Sequence, residues 1–367
     1  MPEPAPALNP PLPGDPAPWF VLPSRSTPRY NISVAAGRHL LLVFPGPAGS
    51  PGGAAALGQL RQAQAEGLLN DADAAAFILS IDPADDAEGG PRDALPGLRV
   101  LLDREGAVSR RYGVLRPAGD GQPRCVPAAF LLDRLMRVVA AAPLERLPQL
   151  LSLLRGLPPA SAAAPVPIPA LLPQVFEPGF CRRLVELYEA RGGEESGFMV
   201  ERDGRTIGTY DPVHKRRQDC QIEDAELQAA IRARISRRIV PEIRKAFQFN
   251  ATRIERYIVA RYDGSEGGHF RAHRDNTTPG TAHRRFAVTI NLNDGFEGGE
   301  LWFPEFSPQR FRPPPGGALV FSCSLLHEAT PVTAGTRYAC LPFLYDDAAA
   351  EVREANRASL RVPETAG

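Results

Sequence analysis

The chain has 367 residues, enough for two domains that each bury a core. Its 42 lysine and arginine residues equal its 42 aspartate and glutamate residues, so no overall charge speaks for nucleic acid or a membrane surface as a partner. Five cysteines, Cys125, Cys181, Cys220, Cys323 and Cys340, form an odd, scattered set without a C-x-x-C pair, which fits reduced thiols rather than a disulfide framework or a zinc site. Residues 1–18, rich in proline and alanine, are expected to be disordered, and they have neither the basic start nor the apolar centre of a secretory signal. The longest apolar runs, such as "LLLVF", are the size of a strand, so the expectation is a cytoplasmic protein without a membrane span.

Over residues 19–155 strand and helix patterns alternate. "HLLLVF" reads as a buried strand, a helical stretch follows over 54–66, and "AAFILSI" and the weaker "RVLLD" read as further strands. "AFLLDRLMRVVAA" holds a strand with a turn inside it, and the amphipathic "LERLPQLLSLLRG" closes the domain as a helix. Such alternation describes a layered α/β domain. The order resembles a thioredoxin-like fold of the peroxiredoxin type, with "GDPAPWFVLP" at its start, "LLDREGAVSRRYGV" in its middle and "VPAAFLLD" placing Pro127 where that family keeps a cis proline. A peroxiredoxin needs a thiolate cysteine at a helix start after the first central strand. Here that stretch reads "FPGPAGSPGGAAAL", with Gly49 and Gly52 about where the threonine and cysteine would stand, so the nucleophile is missing. Cys125, beside Pro127, has no resolving partner. The expectation is a degenerate redoxin module that scaffolds, recognises a protein partner or packs, rather than a thiol peroxidase.

The tract "GLPPASAAAPVPIPA", residues 156–170, is too rich in proline for a helix or an internal strand and is read as the linker. A second domain is expected over 171–348, with a tail over 349–367. Apolar residues recur at helical spacing over 180–188, Gly192 supplies a stop, and a longer helix is expected over 225–247 with Ile231, Ile235 and Ile239 along one face. From Thr252 onward strands dominate: "RIERYIVARY", "RRFAVTINLN", "GELWFPE", "GALVFSC" and "RYACLPFLY", separated by proline and glycine turns and alternating as the strands of a two-sheet jelly roll do. The expected fold class is α+β multidomain: an N-terminal α/β thioredoxin-like domain, then a C-terminal double-stranded β-helix with buttressing helices.

Within the second half, "HFRAHRDN" sets His273 and Asp275 two residues apart, so on an extended strand both leave the same face and one metal can take both. His327, in "SLLHEATPV", meets them only in a fold that lays distant strands side by side. Two imidazoles and one carboxylate on one face of an octahedron are the arrangement associated with non-haem Fe(II) oxygenases, with three positions open. Arg337 follows across the turn "TAGT", at the start of an apolar strand. A buried guanidinium needs an anion, and its planar fork suits a carboxylate such as the far one of 2-oxoglutarate.

The stretches "VARYDGSEGGHFRAHRDN", "RRFAVTINLNDGFEGGELWFPE", "PPPGGALVFSCSLLHEATPV" and "GTRYACLPFLYDD" run in the order and near the spacing of one family. Residues 255–347 resemble the prolyl 4-hydroxylase-like branch of the Fe(II)/2-oxoglutarate dioxygenases. The resemblance implies that His273, Asp275 and His327 hold Fe(II), that Arg337 binds the distal carboxylate of 2-oxoglutarate, and that Tyr262 lines the same pocket; many relatives have lysine where Arg337 stands. It also implies O2 as oxidant, ascorbate as an auxiliary reductant, and hydroxylation of an unidentified substrate with 2-oxoglutarate decarboxylated to succinate. That substrate is a peptidyl prolyl or other side chain, or a small metabolite. By alternation Ile258, Ala260 and Tyr262 share one strand face and Thr289, Asn291 and Asn293 another, so Asn291, and with it Trp302, can line the pocket or serve as framework. The basic run "HKRRQDC", 214–220, lies where related enzymes have a mobile lid, but a charge run in a loop reads first as solvated surface. His283, Arg284 and Arg285 read in the same way, and His39, His214 and His269 carry no functional expectation. The rival reading is a non-catalytic metal-binding or partner-docking protein. Arg337 argues against it, since a structural divalent site has no use for a cation that holds a dicarboxylate.

Overall fold

The computed structural model describes residues 10–87, 90–118, 123–162, 170–202 and 204–361. The chain divides into two compact units, residues 1–166 with 304–308 and residues 167–303 with 309–367. Of the start expected to be disordered, residues 1–9 lie outside the described residues, whereas 14–17 are fixed. Gly14 and Ala17 donate their N–H groups to Val138 O and Met136 O, and Val138 donates to Asp15 O. A proline-rich segment can hold a sheet edge in this way because only its remaining N–H groups need partners.

In the first unit β1 (His39–Phe44), β2 (Ala74–Ser80) and β3 (Leu98–Leu102) run parallel. β4 (Ala128–Leu132) is antiparallel to β1, and β5 (Val138–Pro143) is antiparallel to β4, giving the order β3-β2-β1-β4-β5. β1 and β2 are buried at every position because both sheet faces are covered. Leu41, Val43, Ala76, Ile78 and Val100 share a core with helices α1 (Pro51–Ala65) and α2 (Leu147–Gly156), while Phe44 and Phe130 pack on Tyr112. This is the expected thioredoxin-like α/β arrangement. α1 begins at Pro51, before the expected residue 54, because Ser50 Oγ caps Gly53 N at 3.1 Å and proline suits a helix start. The expectation of a cis proline at 127 is not met: the cis peptide among the described residues is Leu95–Pro96. A trans bond keeps the chain extended into β4, with Val126 N donating to Val114 O and Pro127 O accepting from Leu144 N.

Of the proline and alanine tract, residues 163–169 lie outside the described residues. Before them Ser161 N and Oγ donate to Asp73, and after them Ala170 pairs with Phe321.

The second unit contains α3 (Pro178–Arg191), the hairpin β6 (Phe198–Arg202) and β7 (Arg205–Thr209), then β8 (Lys215–Arg216), β9 (Gln218–Gln221), α4 (Ala225–Arg238) and α5 (Val240–Phe247). There follow β10 (Ile258–Asp263), β11 (His269–His273), β12 (Phe286–Asn291), β13 (Leu301–Trp302), β14 (Ala318–Ser322), β15 (His327–Ala329) and β16 (Thr336–Cys340). β9, β10, β12, β14 and β16 belong to a nine-stranded sheet, and β8, β11, β13 and β15 to a five-stranded one. From β10 to β16 successive strands fall alternately in the two sheets, which is the double-stranded β-helix. The larger sheet packs on the helices: Val259, Val288, Ile290, Val320 and Cys340 share a core with Leu184, Ile231, Ile235, Ile239 and Ile243. The single helix expected over 225–247 is two, interrupted at Ile239, because Pro241 has no N–H to offer and its ring opposes the preceding turn. The expected tail begins inside a helix, Asp347–Ala355, and Leu360–Arg361 pairs in parallel with Thr206–Ile207; residues 362–367 lie outside the described residues. No helix among the described residues is long and apolar enough to cross a membrane.

Candidate active site

β11 and β15 pair with His273 opposite His327. A bulge between Phe270 and His273 brings both rings to one side, stacked with centroids 3.5 Å apart. Asp275 does not lie on the strand, as expected from its spacing, but just past its end. The Arg274 guanidinium donates to Ser324 O, and Asp275 N donates to Cys323 O at 3.0 Å, which turns the carboxylate back toward the histidines. His273 Nε2 lies 3.4 Å from Asp275 Oδ1, and His327 Nε2 lies 3.4 Å from Asp275 Oδ2. The ligand atoms of the three residues are all within 4.8 Å of one another.

Each imidazole places Nδ1 against a backbone carbonyl, Arg271 O at 2.7 Å and Leu325 O at 3.1 Å. An Nδ1–H donated there leaves the Nε2 lone pair directed at Asp275, the tautomer that a metal ligand needs. Burial first, and then His273, push His327 down to about 4, so this imidazole is neutral at pH 7. Burial alone would raise the Asp275 carboxyl, but His327 and His273 outweigh it and hold the group well below the usual carboxylate range. Two imidazoles converging on an ionised carboxylate form a donor set that suits a divalent transition metal with open positions.

Arg337, on β16, stands directly across from Tyr262 on β10 and is 2% exposed. Its guanidinium carbon is 5.1 Å from the Tyr262 ring centroid, and its Nε donates to Asn291 Oδ1 at 3.1 Å. Asn291 Nδ2 donates in turn to Pro313 O at 2.7 Å, so this side chain orients Arg337. No carboxylate pairs with Arg337 among the described residues. Burial lowers its pKa, Tyr262 opposes that, and Arg217 and Arg312 add to the lowering. A buried cation with cations for neighbours is a site for an anion.

Residues 257–345 match the family model of the 2OG-Fe(II) oxygenase superfamily. That segment is a 2OG-Fe(II) oxygenase domain. A PKHD-type hydroxylase of a Synechococcus species is 31% identical over 149 residues, covering 39% of this chain and 65% of that protein. Another from Delftia acidovorans is 40% identical over 88 residues, covering 22% of this chain and 38% of the relative. The matches thus span less than two thirds of the length of these relatives. Among solved structures, a prolyl-4-hydroxylase from Pseudomonas putida matches with 16% identity and a TM-score of 0.37, over 48% of this chain and 92% of that one. A peroxidoxin from Mycobacterium tuberculosis matches with 20% identity and a TM-score of 0.32, over 40% of this chain and 99% of that one.

In the second unit the run 214–220 is not solvated surface. It is the crossing from one sheet to the other, with Lys215 paired to Phe270 and Gln218 to Arg261. Arg216 is exposed, but Lys215 and Arg217 are each 5% exposed. Arg217 donates to Asp219 at 2.6 Å, to Ser196 Oγ at 3.0 Å and to Tyr262 Oη at 3.4 Å, tying this strand to the pocket. Burial pulls the Lys215 ammonium well below its usual range. The signal that sequence reading passed over is the alternation itself, two inward basic residues flanking an outward one. His283 and Arg284 lie against an internal acid. Both engage Glu255, at 2.6 and 2.7 Å, and Arg284 also reaches Asp275 O at 3.4 Å, so they brace the ligand turn. Arg285 donates to Ala282 O. Trp302 pairs with Glu328, the neighbour of His327, so alternation puts it on the opposite strand face from the ligand, with Arg310 4.1 Å over its ring. In the redoxin-like unit the half-buried Cys125 thiol is pushed up by burial, the reverse of what a peroxidatic cysteine requires.

Proposed function

We propose that this protein is an Fe(II)- and 2-oxoglutarate-dependent hydroxylase in which His273, Asp275 and His327 hold the metal and Arg337 holds the distal carboxylate of 2-oxoglutarate. The observation that carries the reading is Arg337, a fully buried guanidinium without a carboxylate partner among the described residues, in the same β-helix as a converging His, Asp and His. Bound iron, with 2-oxoglutarate and O2, supplies an oxidant able to hydroxylate an unactivated C–H bond while the co-substrate is decarboxylated to succinate. The protein's own part is positioning. Asn291 fixes Arg337, Tyr262 lies beside it, and the Phe270 and Phe321 rings, the latter 4.6 Å from His327, hold the imidazoles and keep water from their faces. His273 and Phe270 are only partly buried, and substrate approaches from their side. The substrate classes to test are a peptidyl prolyl or other side chain and a small metabolite. The redoxin-like unit we read as a scaffold or docking module for a protein partner.

The test is succinate formation by anaerobically purified protein given Fe(II), 2-oxoglutarate, ascorbate and air. Iron-dependent turnover that collapses in Arg337→Ala is the expected result. No turnover together with no 2-oxoglutarate binding would transfer the case to a non-catalytic docking protein.

A further inference from the structure

Lysine is scarce in this chain: of its 42 basic residues only Lys215 and Lys245 are lysine. Lys245 is an exposed residue of α5 paired with Glu242. Lys215 is the opposite case, buried in the oxygenase domain. Its Nζ donates to Ser196 Oγ at 2.8 Å and to Gly197 O at 2.5 Å, both neutral oxygens, and lies 4.8 Å from the Phe270 ring centroid. Phe270 in turn stacks on His273. An ammonium has three donors, so a further acceptor can be taken.

No carboxylate lies within ion-pair distance of Lys215 among the described residues. The acid of this network, Asp219, is engaged by Arg217 and by Ser196 Oγ, each at 2.6 Å. Elsewhere in the interior Arg284 is matched by Glu255, and Arg256 places two donors on Leu341 O. With a dication on the triad and dianionic 2-oxoglutarate the two charges cancel, and so do those of Asp275 and Arg337. The Lys215 ammonium is left without a counter-charge, one aromatic ring away from a metal ligand. A buried charge in that position is costly unless a partner arrives. Rings gather on this side of the strand: Phe198 lies 4.5 Å and Phe270 5.5 Å from His214, and all three are partly exposed. Arginine, the basic residue nearly everywhere else in the chain, has a wide planar fork, whereas the position beside Phe270 holds a compact point charge.

Resting on the hydroxylase reading of the site, we propose that Lys215 is a specificity residue that binds a carboxylate of the primary substrate, so that the enzyme acts on an anionic substrate. That carboxylate belongs either to an acidic peptide side chain or to the α-carboxylate of a free amino acid, and the two sources are separable by experiment. Full-length protein with Fe(II) and 2-oxoglutarate is assayed for stimulation of succinate formation by free L-amino acids and by acetylated, amidated hexapeptides. Each carboxylate-bearing probe is paired with its amide counterpart. The expected result is a kcat/KM at least about tenfold higher for the carboxylate member. Lys215→Met brings this ratio close to one, and Lys215→Arg keeps part of it; the peptide and amino-acid arms identify the source. A readout independent of turnover comes from 15Nζ-lysine labelling, which gives two signals. In Zn(II)-loaded protein with 2-oxoglutarate, a stimulating probe shifts the Lys215 signal and leaves that of Lys245 in place.

Equal stimulation by amide probes, a preference that survives in Lys215→Met, or a wild type that forms succinate yet responds to no carboxylate probe would each overturn the assignment. Should Lys215→Met fail to fold, the wild-type ratio and the signal shift decide. Loss of both iron-dependent succinate formation and 2-oxoglutarate binding in the wild type is a different failure, that of the hydroxylase reading, and the Lys215 assignment goes with it.

Discussion

A guanidinium buried as deeply as that of Arg337 is destabilising unless an anion meets it, and Asn291 Oδ1 and the Tyr262 ring compensate only in part. Arg337→Ala should therefore weaken 2-oxoglutarate binding by roughly 100-fold, in line with the loss of a charge-assisted contact. Titration calorimetry with Zn(II)-loaded protein checks this, and unchanged affinity would place the co-substrate elsewhere. His273→Ala and Asp275→Ala should each remove bound iron and lower turnover more than about 100-fold while the circular dichroism of the sheets persists; a variant that keeps full metal content is not missing a ligand. Asp219 gives a pH test. Burial raises its carboxyl, but Arg217, through charge and hydrogen bond, holds it at about 2. The unfolded value is about 3.9, so the stabilisation is complete above that pH and is lost as pH falls through about 2. Asp219→Asn should cost roughly 2 kcal/mol at pH 6 and much less near pH 2 by urea denaturation. An equal cost at both would mean the pair is not ionised as described. The candidate residues His273, Asp275, His327 and Arg337 stand out in the sequence because their side chain types suggest a chemistry. Lys215, Arg217 and Glu255 could not, since a basic run or a lone acid looks the same whether it faces solvent or the interior.

At the scale of elements, turns and bulges decide where those side chains arrive. Gly299 has φ +63°, and a Cβ there would lie 2.8 Å from Val332 Cγ2 and 3.0 Å from Arg337 Cδ. Gly299→Ala should thus displace Arg337 and raise the KM for 2-oxoglutarate several-fold, beyond the roughly 1 kcal/mol of backbone strain. Steady-state kinetics at varied 2-oxoglutarate tests it, and a purely stability-linked effect would leave KM unchanged. The hydrophobic strings announced most strands, but not the bulge that turns Phe270 onto His273 or the placement of Asp275 beyond the strand end. Both arise from cross-strand pairing, which the local string does not encode. The helix break at Ile239 was readable from Pro241 and was overridden by the unbroken isoleucine spacing across it.

For the whole molecule, the proposed metal site couples binding to stability, because its three residues come from β11, β15 and the turn after β11 and converge only in the folded state. Zn(II) at about 100 times its dissociation constant should stabilise the oxygenase domain by about 2.7 kcal/mol and raise its Tm by several degrees. Scanning calorimetry should show no such rise in His273→Ala. By itself the sequence determined the α/β and jelly-roll classes and the residue types of the candidate site, because periodicity and residue chemistry are local properties of the string. Only the tertiary structure decided that Asp275 reaches both histidines from off the strand, that Arg337 has no carboxylate beside it among the described residues, and that Lys215 is buried next to Phe270. Those are statements about which distant strands lie together and which charges they leave unmatched, and sheet register, not composition, fixes both.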